Sequence, residues 1–205
     1  MEKFIRMSKE YSFISSYLKN NKRIALDIGA CIGDFTKQFS RDFQHVHAFE
    51  PVSTTFKMLS ESLSNYDNVT LHNNAVGDSL KQIEITNLQG HYGRNMVQNN
   101  RGKAWLQKRV TDRKLKKEQW SIESVEQVVI DDFNFTNVDL VKIDVEDYEY
   151  EVLLGMTEFF ENNSPACFIE VHDNSSNKDK IFQYFQKINY DYKKYNNLNH
   201  IFFKK

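Results

Sequence analysis

Five short apolar runs separated by helical patterns constrain this chain more than any other feature. Residues 23–28 (Arg-Ile-Ala-Leu-Asp-Ile), 45–50, 69–76, 139–144 and 166–171 each read as a buried strand. Helical spacing fills 34–43, 53–63, 148–160 and 178–188, the third with Tyr148, Val152, Met156 and Phe159 on one face. That alternation predicts an α/β, doubly wound, Rossmann-like fold with a mostly parallel sheet. Aromatic segments around Tyr190 and at 200–203 are close enough for a hairpin, which predicts an antiparallel C-terminal strand. Phe4, Met7, Tyr11, Ile14 and Leu18 recur at three- and four-residue steps, the stripe of a packing helix within residues 1–20.

Composition limits what such a sheet can belong to. The chain has 205 residues, 40% of them hydrophobic and 14% aromatic, enough apolar bulk to close one core and exclude general disorder. A single domain over 1–205 is expected. No apolar run approaches the ~18 residues of a membrane span, and the N-terminal residues lack the basic and apolar regions of a signal peptide. Cys31 and Cys167 both read as core, and two isolated cysteines make neither a disulfide framework nor a zinc site. A cytoplasmic protein with no membrane partner is expected. Net charge is −1 but unevenly spread. Residues 89–118 hold Arg94, Arg101, Lys103, Lys108, Arg109, Arg113, Lys114, Lys116 and Lys117 against Asp112 and Glu118, giving this insertion +7 and the remainder −8.

The first strand runs into Asp27-Ile-Gly29-Ala30-Cys-Ile-Gly33. Glycines at that place allow a tight turn and close approach of a ligand to the next helix N-terminus. The spacing differs from the G-x-G-x-x-G of dinucleotide binders, so a phosphate cradle fits poorly. An acidic strand end suits a ligand bearing a cation instead. Glu50 ends the second strand seventeen residues beyond Gly33, where a carboxylate accepts both hydroxyls of a ribose. Turn and carboxylate together predict an adenosyl ligand.

These stretches resemble class I S-adenosyl-L-methionine-dependent methyltransferases, and among them the FkbM-type family. Leu26-Asp-Ile-Gly-Ala-Cys-Ile-Gly-Asp-Phe-Thr36 is similar to the family's first motif and His47-Ala-Phe-Glu-Pro51 to its second. Asn74-Ala-Val-Gly-Asp78 resembles the segment beside the adenine. Lys142-Ile-Asp-Val-Glu-Asp-Tyr-Glu-Tyr-Glu-Val-Leu-Leu-Gly155 resembles the signature, with Val129-Ile-Asp-Asp132 before it and Phe168-Ile-Glu-Val-His172 after it. The resemblance spans roughly residues 22–172. It implies the Rossmann-like methyltransferase fold, S-adenosyl-L-methionine as cofactor, and cofactor-binding roles for Asp27, Gly29, Ala30, Gly33, Glu50, Pro51, Asn74, Ala75 and Asp144. Two features depart from the family. Asp147 stands where the signature has Gly, at a position that reads as a helix N-cap, and the basic insertion looks longer than usual.

Methyl transfer from a sulfonium is an in-line displacement, so alignment and exclusion of water dominate, with a general base for a hydroxyl acceptor. Asp144 and Glu146 sit two apart at a strand tip, and Glu170 and His172 end the neighbouring strand in the same alternation. These four are the candidate catalytic residues, with His172 the acceptor-side base and its pKa raised by nearby carboxylates. Lys142 reads as an ion-pair partner. The four are oxygen-rich enough for Mg²⁺ or Ca²⁺, but strand-tip carboxylates are common without metal and none is expected. The expected activity is O-methylation of a sugar, glycan or small-metabolite hydroxyl. An RNA acceptor held through residues 94–117, with Trp105 stacking a base, is the alternative. Glu170 and His172 stand where ribose methyltransferases want the second lysine of Lys-Asp-Lys-Glu. A silent binding module on the same scaffold is the third reading.

Overall fold

The computed structural model describes residues 2–18, 22–88, 90, 92–112, 116 and 119–205, with backbone alone for 2–8, 100 and 101. The side chains of Phe4, Met7 and Arg101, and all of Arg113, Lys114, Lys117 and Glu118, lie outside the described residues. Helix α1 (Glu2–Ser15) precedes β1 (Ile24–Ile28), α2 (Asp34–Asp42), β2 (His45–Phe49), α3 (Ser53–Ser62) and β3 (Val69–His72). Then come β4 (Ala75–Val76), β5 (Lys81–Leu88), α4 (Asn100–Thr111) and β6 (Trp120–Val128). The chain closes with β7 (Val138–Ile143), α5 (Glu149–Leu154), α6 (Thr157–Asn162), β8 (Ala166–Glu170), α7 (Lys178–Lys187), β9 (Tyr190–Lys194) and β10 (Asn199–Lys204).

The main sheet has seven strands in the order β3-β2-β1-β7-β8-β10-β9. β1 pairs in parallel with both β2 and β7, Leu26 standing between His47 and Val141. Strand order reverses at β1, so the crevice between the carboxyl ends of β1 and β7 is where an open α/β sheet places its ligand. Buried side chains on both faces explain the continuous apolar runs: Leu26, Ile28, Val141, Ile143 and Ile169 lie in one cluster with α5, α6 and α7. Ala25, Val46, Leu140 and Phe168 face the other cluster, which Ile14 of α1 and Phe39 of α2 cover.

The C-terminal strand is antiparallel as expected, and it lies inside the sheet between β8 and β9. Ile201 and Phe202 are fully buried and need neighbours on both sides, whereas Asp191, Tyr192, Lys193 and Lys194 leave β9 polar. A charged edge strand also resists pairing with other chains. The run at 69–76 divides, because β4 leaves the main sheet for a second one in the order β4-β6-β5. The helix expected over 148–160 breaks after Leu154, where the Gly155 carbonyl is taken by the Asp131 amide (3.1 Å). Tyr148, Val152, Met156 and Phe159 keep one buried face across the break. Among the described residues no helix is long and apolar enough to cross a membrane.

One face of β2 and β3 carries three histidines. His47 Nδ1 meets His72 Nε2 at 3.1 Å, His45 Nε2 meets Thr70 Oγ1 at 2.8 Å, and the His72 ring stacks on Phe49 at 4.3 Å. Burial first, then His45 and His72, push His47 down to about 4, and His72 is also lowered. The folded state therefore binds fewer protons than the unfolded one between about pH 6.5 and 4, so stability is lost as pH falls through that window. Urea midpoints measured at pH 7 and pH 5 should differ, and His47→Phe should reduce that difference, since each titrating unit is worth up to about 1.4 kcal/mol.

Candidate functional site

The turn after β1 is built from left-handed backbone. Gly29 (φ 80°), Cys31 (φ 52°) and Gly33 (φ 88°) alternate within five residues. A Cβ on Gly29 would fall inside the van der Waals envelope of the Asp144 carbonyl oxygen, so glycine lets the turn lie against the end of β7. A Cβ on Gly33, at the N-cap of α2, would sit 2.8 Å from Leu59 Cδ1.

Glu50 closes β2 with only 5% of its surface exposed. Its Oε2 accepts from the Cys31 amide (3.1 Å) and its Oε1 from the Val52 amide (3.0 Å), which aims the carboxylate across the turn. Burial raises its pKa to about 7 against those two hydrogen bonds. Glu50 lines a cleft with Phe49, Pro51, Val76, Ile85 and Val97 on its apolar wall and Asp144, Glu146 and Tyr148 among its polar residues. A carboxylate for a diol, an apolar slot for a flat ring and carboxylates for a cationic end form a donor set that fits an adenosyl amino acid.

Not every predicted residue reaches this cleft. Gly29, Glu50, Pro51, Asn74, Ala75, Asp144 and Glu146 line it, whereas Asp27, Ala30 and Gly33 support it from behind. Asp27 is fully buried, accepts from the Thr36 hydroxyl (2.6 Å) and pairs with Lys142 Nζ (3.2 Å). Lys142 Nζ also donates to the Gly29 carbonyl (2.6 Å) and stands 3.7 Å from Asp144 Oδ2. Burial opposes its charge, but Asp27 and Asp144 outweigh burial and hold its pKa above the usual lysine range. Asp144 is lifted to about 6 by burial against the pull of Lys142, and the 42% of its side chain open to solvent moderates the shift.

Beyond Asp144, Glu146, Glu170 and His172 bring ligand-capable atoms within 4.8 Å of one another. His172 Nε2 lies 3.4 Å from Glu170 Oε2, and that contact is the main reason its pKa rises to about 9. Burial works against Glu170, yet His172 outweighs it and keeps the carboxylate low, while burial beside Asp144 and Glu170 raises Glu146 to about 8. Without a metal Glu170 and His172 form an ion pair, and the same atoms, with Glu146, are close enough to one another to serve as ligands to a metal ion. Glu170 and Asp144 also face a second chamber of about 320 Å³, shared with Lys142, Phe35 and Glu10 of α1.

Two sequence readings need correction. Cys31 is not core: it lines the cleft inside the glycine turn, with burial first and Glu50 next raising its thiol to about 11. Its place between two turn glycines was the available signal. Asp147 is not a helix cap. It adopts φ 74° one residue before the N-cap Tyr148, the conformation that glycine supplies, and Glu149 Oε1 accepts from the Val145 and Asp147 amides (3.2 Å each) to hold the turn. The basic insertion is an excursion from a hairpin, since Leu88 pairs with Trp120. Its Tyr92, Gly93, Asn95 and Val97 cover the cleft, which charge counting did not reveal. Helix α4 packs Leu106 on Leu88 beside Trp105 and Trp120, with the Arg109 guanidinium 5.2 Å from the Trp105 ring.

Sheet order and cleft position define a doubly wound, Rossmann-like α/β fold with its ligand cleft at the switch point of the sheet. The sequence matches the model of the methyltransferase FkbM domain over residues 27–192. The fold is similar to that of methyltransferase FkbM from Methylobacillus flagellatus KT (16% identity, TM-score 0.63), covering 92% of this chain and 45% of that one. It is also similar to a Streptococcus mutans protein described as a methyltransferase and solved in complex with SAH (13% identity, TM-score 0.54, 96% and 94% covered). An rRNA methylase from Streptococcus thermophilus shares the fold at 11% identity and TM-score 0.53, covering 95% and 92%. No curated protein sequence matches. The chain belongs to the FkbM methyltransferase family, whose methyl donor is S-adenosyl-L-methionine.

The backbone contact at Gly29 generates a direct expectation. Gly29→Ala combines a strained φ with a clash against a carbonyl that cannot rotate away, and should destabilise the fold by about 2 kcal/mol or more. Thermal unfolding checks it. A melting temperature within a degree of wild type would show that the turn and β7 separate freely.

Proposed function

We propose that this chain is one methyltransferase domain, with a helical N-terminal extension and a basic insertion, that methylates a hydroxyl oxygen of a sugar, glycan or small metabolite. One cleft carries the reading: Glu50, Asp144 and Glu146 all line it, and Glu146 is grouped with Glu170 and His172 beside it. The unpaired thiols of Cys31 and Cys167 support a reducing, cytoplasmic setting.

S-adenosyl-L-methionine, when bound, supplies a methyl group on a positively charged sulfur. Glu50 would accept the ribose hydroxyls, Phe49, Val76 and Ile85 would offer the apolar lining for the adenine, and the Gly29 turn would let backbone approach the amino-acid end. Asp144 and Glu146 would supply the negative charge that suits its cationic part. Tyr92 and Val97 exclude water from the cleft. His172, oriented by Glu170, takes the proton from the acceptor hydroxyl as the new carbon–oxygen bond forms. An RNA acceptor is the second reading, supported by the Trp105–Arg109 pair, with Lys108 on the same groove as both. Methyl-label transfer to sugars and glycans but not RNA sustains the first reading, and transfer to RNA alone replaces it.

Two measurements test the residues. Glu50→Ala removes charge-assisted hydrogen bonds worth about 1.5–3 kcal/mol, so calorimetric affinity for S-adenosyl-L-methionine should weaken roughly tenfold to hundredfold with the fold intact. Unchanged affinity would remove Glu50 from the cofactor site.

Turnover should climb with pH and level off above about 9, where His172 loses its proton. His172→Gln should lower turnover by about a hundredfold or more and abolish that limb. Glu170→Gln removes the main cause of the raised pKa, so it should move the limb to lower pH. A limb that survives His172→Gln assigns the base to Asp144 or Glu146.

A further inference from the structure

Lys142 is the one fully embedded cation beside the cleft among the described residues, at 3% exposure, and it reaches the donor side only through other groups. It donates to the carbonyl of Gly29, pairs with Asp27 on β1 and stands 3.7 Å from Asp144 at the end of β7. Gly29 and Asp144 line the cleft, whereas Lys142 opens only to the chamber behind it. The other titratable groups around Asp144 are Glu170 on β8, itself answered by His172, then Glu146 and Cys31 on the flanking turns, buried Glu149 on α5 and Glu10 on α1.

We propose that Lys142 is a positioning residue that makes the cleft discriminate between methyl donor and demethylated product. Asp27 and Lys142 offset each other behind the wall, so the uncompensated charge of the three that lines the cleft is the carboxylate of Asp144. That charge is opposite to the positive charge on the donor's sulfur. In transfer the carbon–sulfur bond breaks with its electron pair left on sulfur, the acceptor oxygen bonds to the carbon, and the hydroxyl proton passes to a base. Sulfur is then neutral and the attraction is gone. Lys142 maintains the difference by keeping Asp144 ionised and by fixing the Gly29 turn against it. Without this cation, the remaining carboxylates drive Asp144 toward its neutral form, and the cleft loses the charge lining it that favours donor over product.

This inference rests on assigning the cleft to S-adenosyl-L-methionine. Calorimetric dissociation constants for S-adenosylmethionine and S-adenosylhomocysteine, measured from pH 6 to 9, test it. In Lys142→Met the preference for donor over product should fall about tenfold at pH 7 relative to wild type and recover toward pH 9, as one unit of pKa is a tenfold change in population. Asp144→Asn should show the loss at every pH. If the single variant unfolds with Asp27 left unpaired, Asp27→Asn/Lys142→Met removes both charges together and should show the same pH-dependent loss. Wild-type protein that binds neither compound overturns the cofactor reading and this inference with it. Variants that bind both compounds with an unchanged or increased donor preference overturn the inference alone, and so does an equal weakening of both at every pH.

Discussion

An ammonium buried in a parallel sheet is untenable unless carboxylates meet it there, and the arrangement of this protein follows from that pairing. Removing water from Lys142 would disfavour its charge by several kcal/mol, so Asp27 from the neighbouring strand must be within reach, as it is at 3.2 Å. The pair spans β1 and β7, the two strands between which the order of the sheet reverses. Either partner alone would be an uncompensated buried charge. Together they tie the first motif to the signature motif, more than a hundred residues apart in sequence.

The chemistry at the rim inherits its geometry from that buried pair. Gly29 rests against the Asp144 carbonyl and its own carbonyl is held by Lys142. Beyond it, Glu146 and Asp147 occupy two successive left-handed positions, a conformation unfavourable for side-chain-bearing residues. Glu149 offsets part of that strain by accepting from two amides of the turn. The turn aims Glu146 toward Glu170 and His172 instead of letting β7 run straight into α5. Strain, buried charge and shifted acids therefore concentrate within one short stretch, a pattern that structural ion pairs alone do not require.

The central strands of the main sheet were legible in the sequence because they are buried on both faces and carry unbroken apolar runs. β5 and β6 were not, because the first half of β5 is largely exposed and β6 buries one face only. In Trp120-Ser-Ile-Glu-Ser-Val-Glu-Gln-Val, Val125 and Gln127 point inward with half-buried Glu123 on the same face, while exposed Ile122, Ser124 and Glu126 alternate with them. Period-two alternation was there, but its charged residues gave the segment a loop-like composition. The tips of β2, β7 and β8 were readable as acidic strand ends. Glu10 was not, since a carboxylate on an amphipathic helix looks solvated until α1 is docked over the chamber. Asp147 was read by residue preference for caps, which says nothing about the sign of φ.

The second sheet gives the insertion its meaning. Ile85 pairs with Val97, and Leu88 donates to Asn95 Oδ1 (2.9 Å), so the segment after β5 is drawn back along the hairpin and over the cleft. Tyr92, Asn95 and Val97 are thereby held as cover, while Arg94 faces outward with its charge felt at Glu146. Helix α4 is anchored by Leu106 at the same end of the hairpin, with Lys103 and Lys108 exposed. Arg94 is the cation of this segment whose charge reaches the acidic part of the site, where it opposes the rise that burial, Asp144 and Glu170 impose on Glu146.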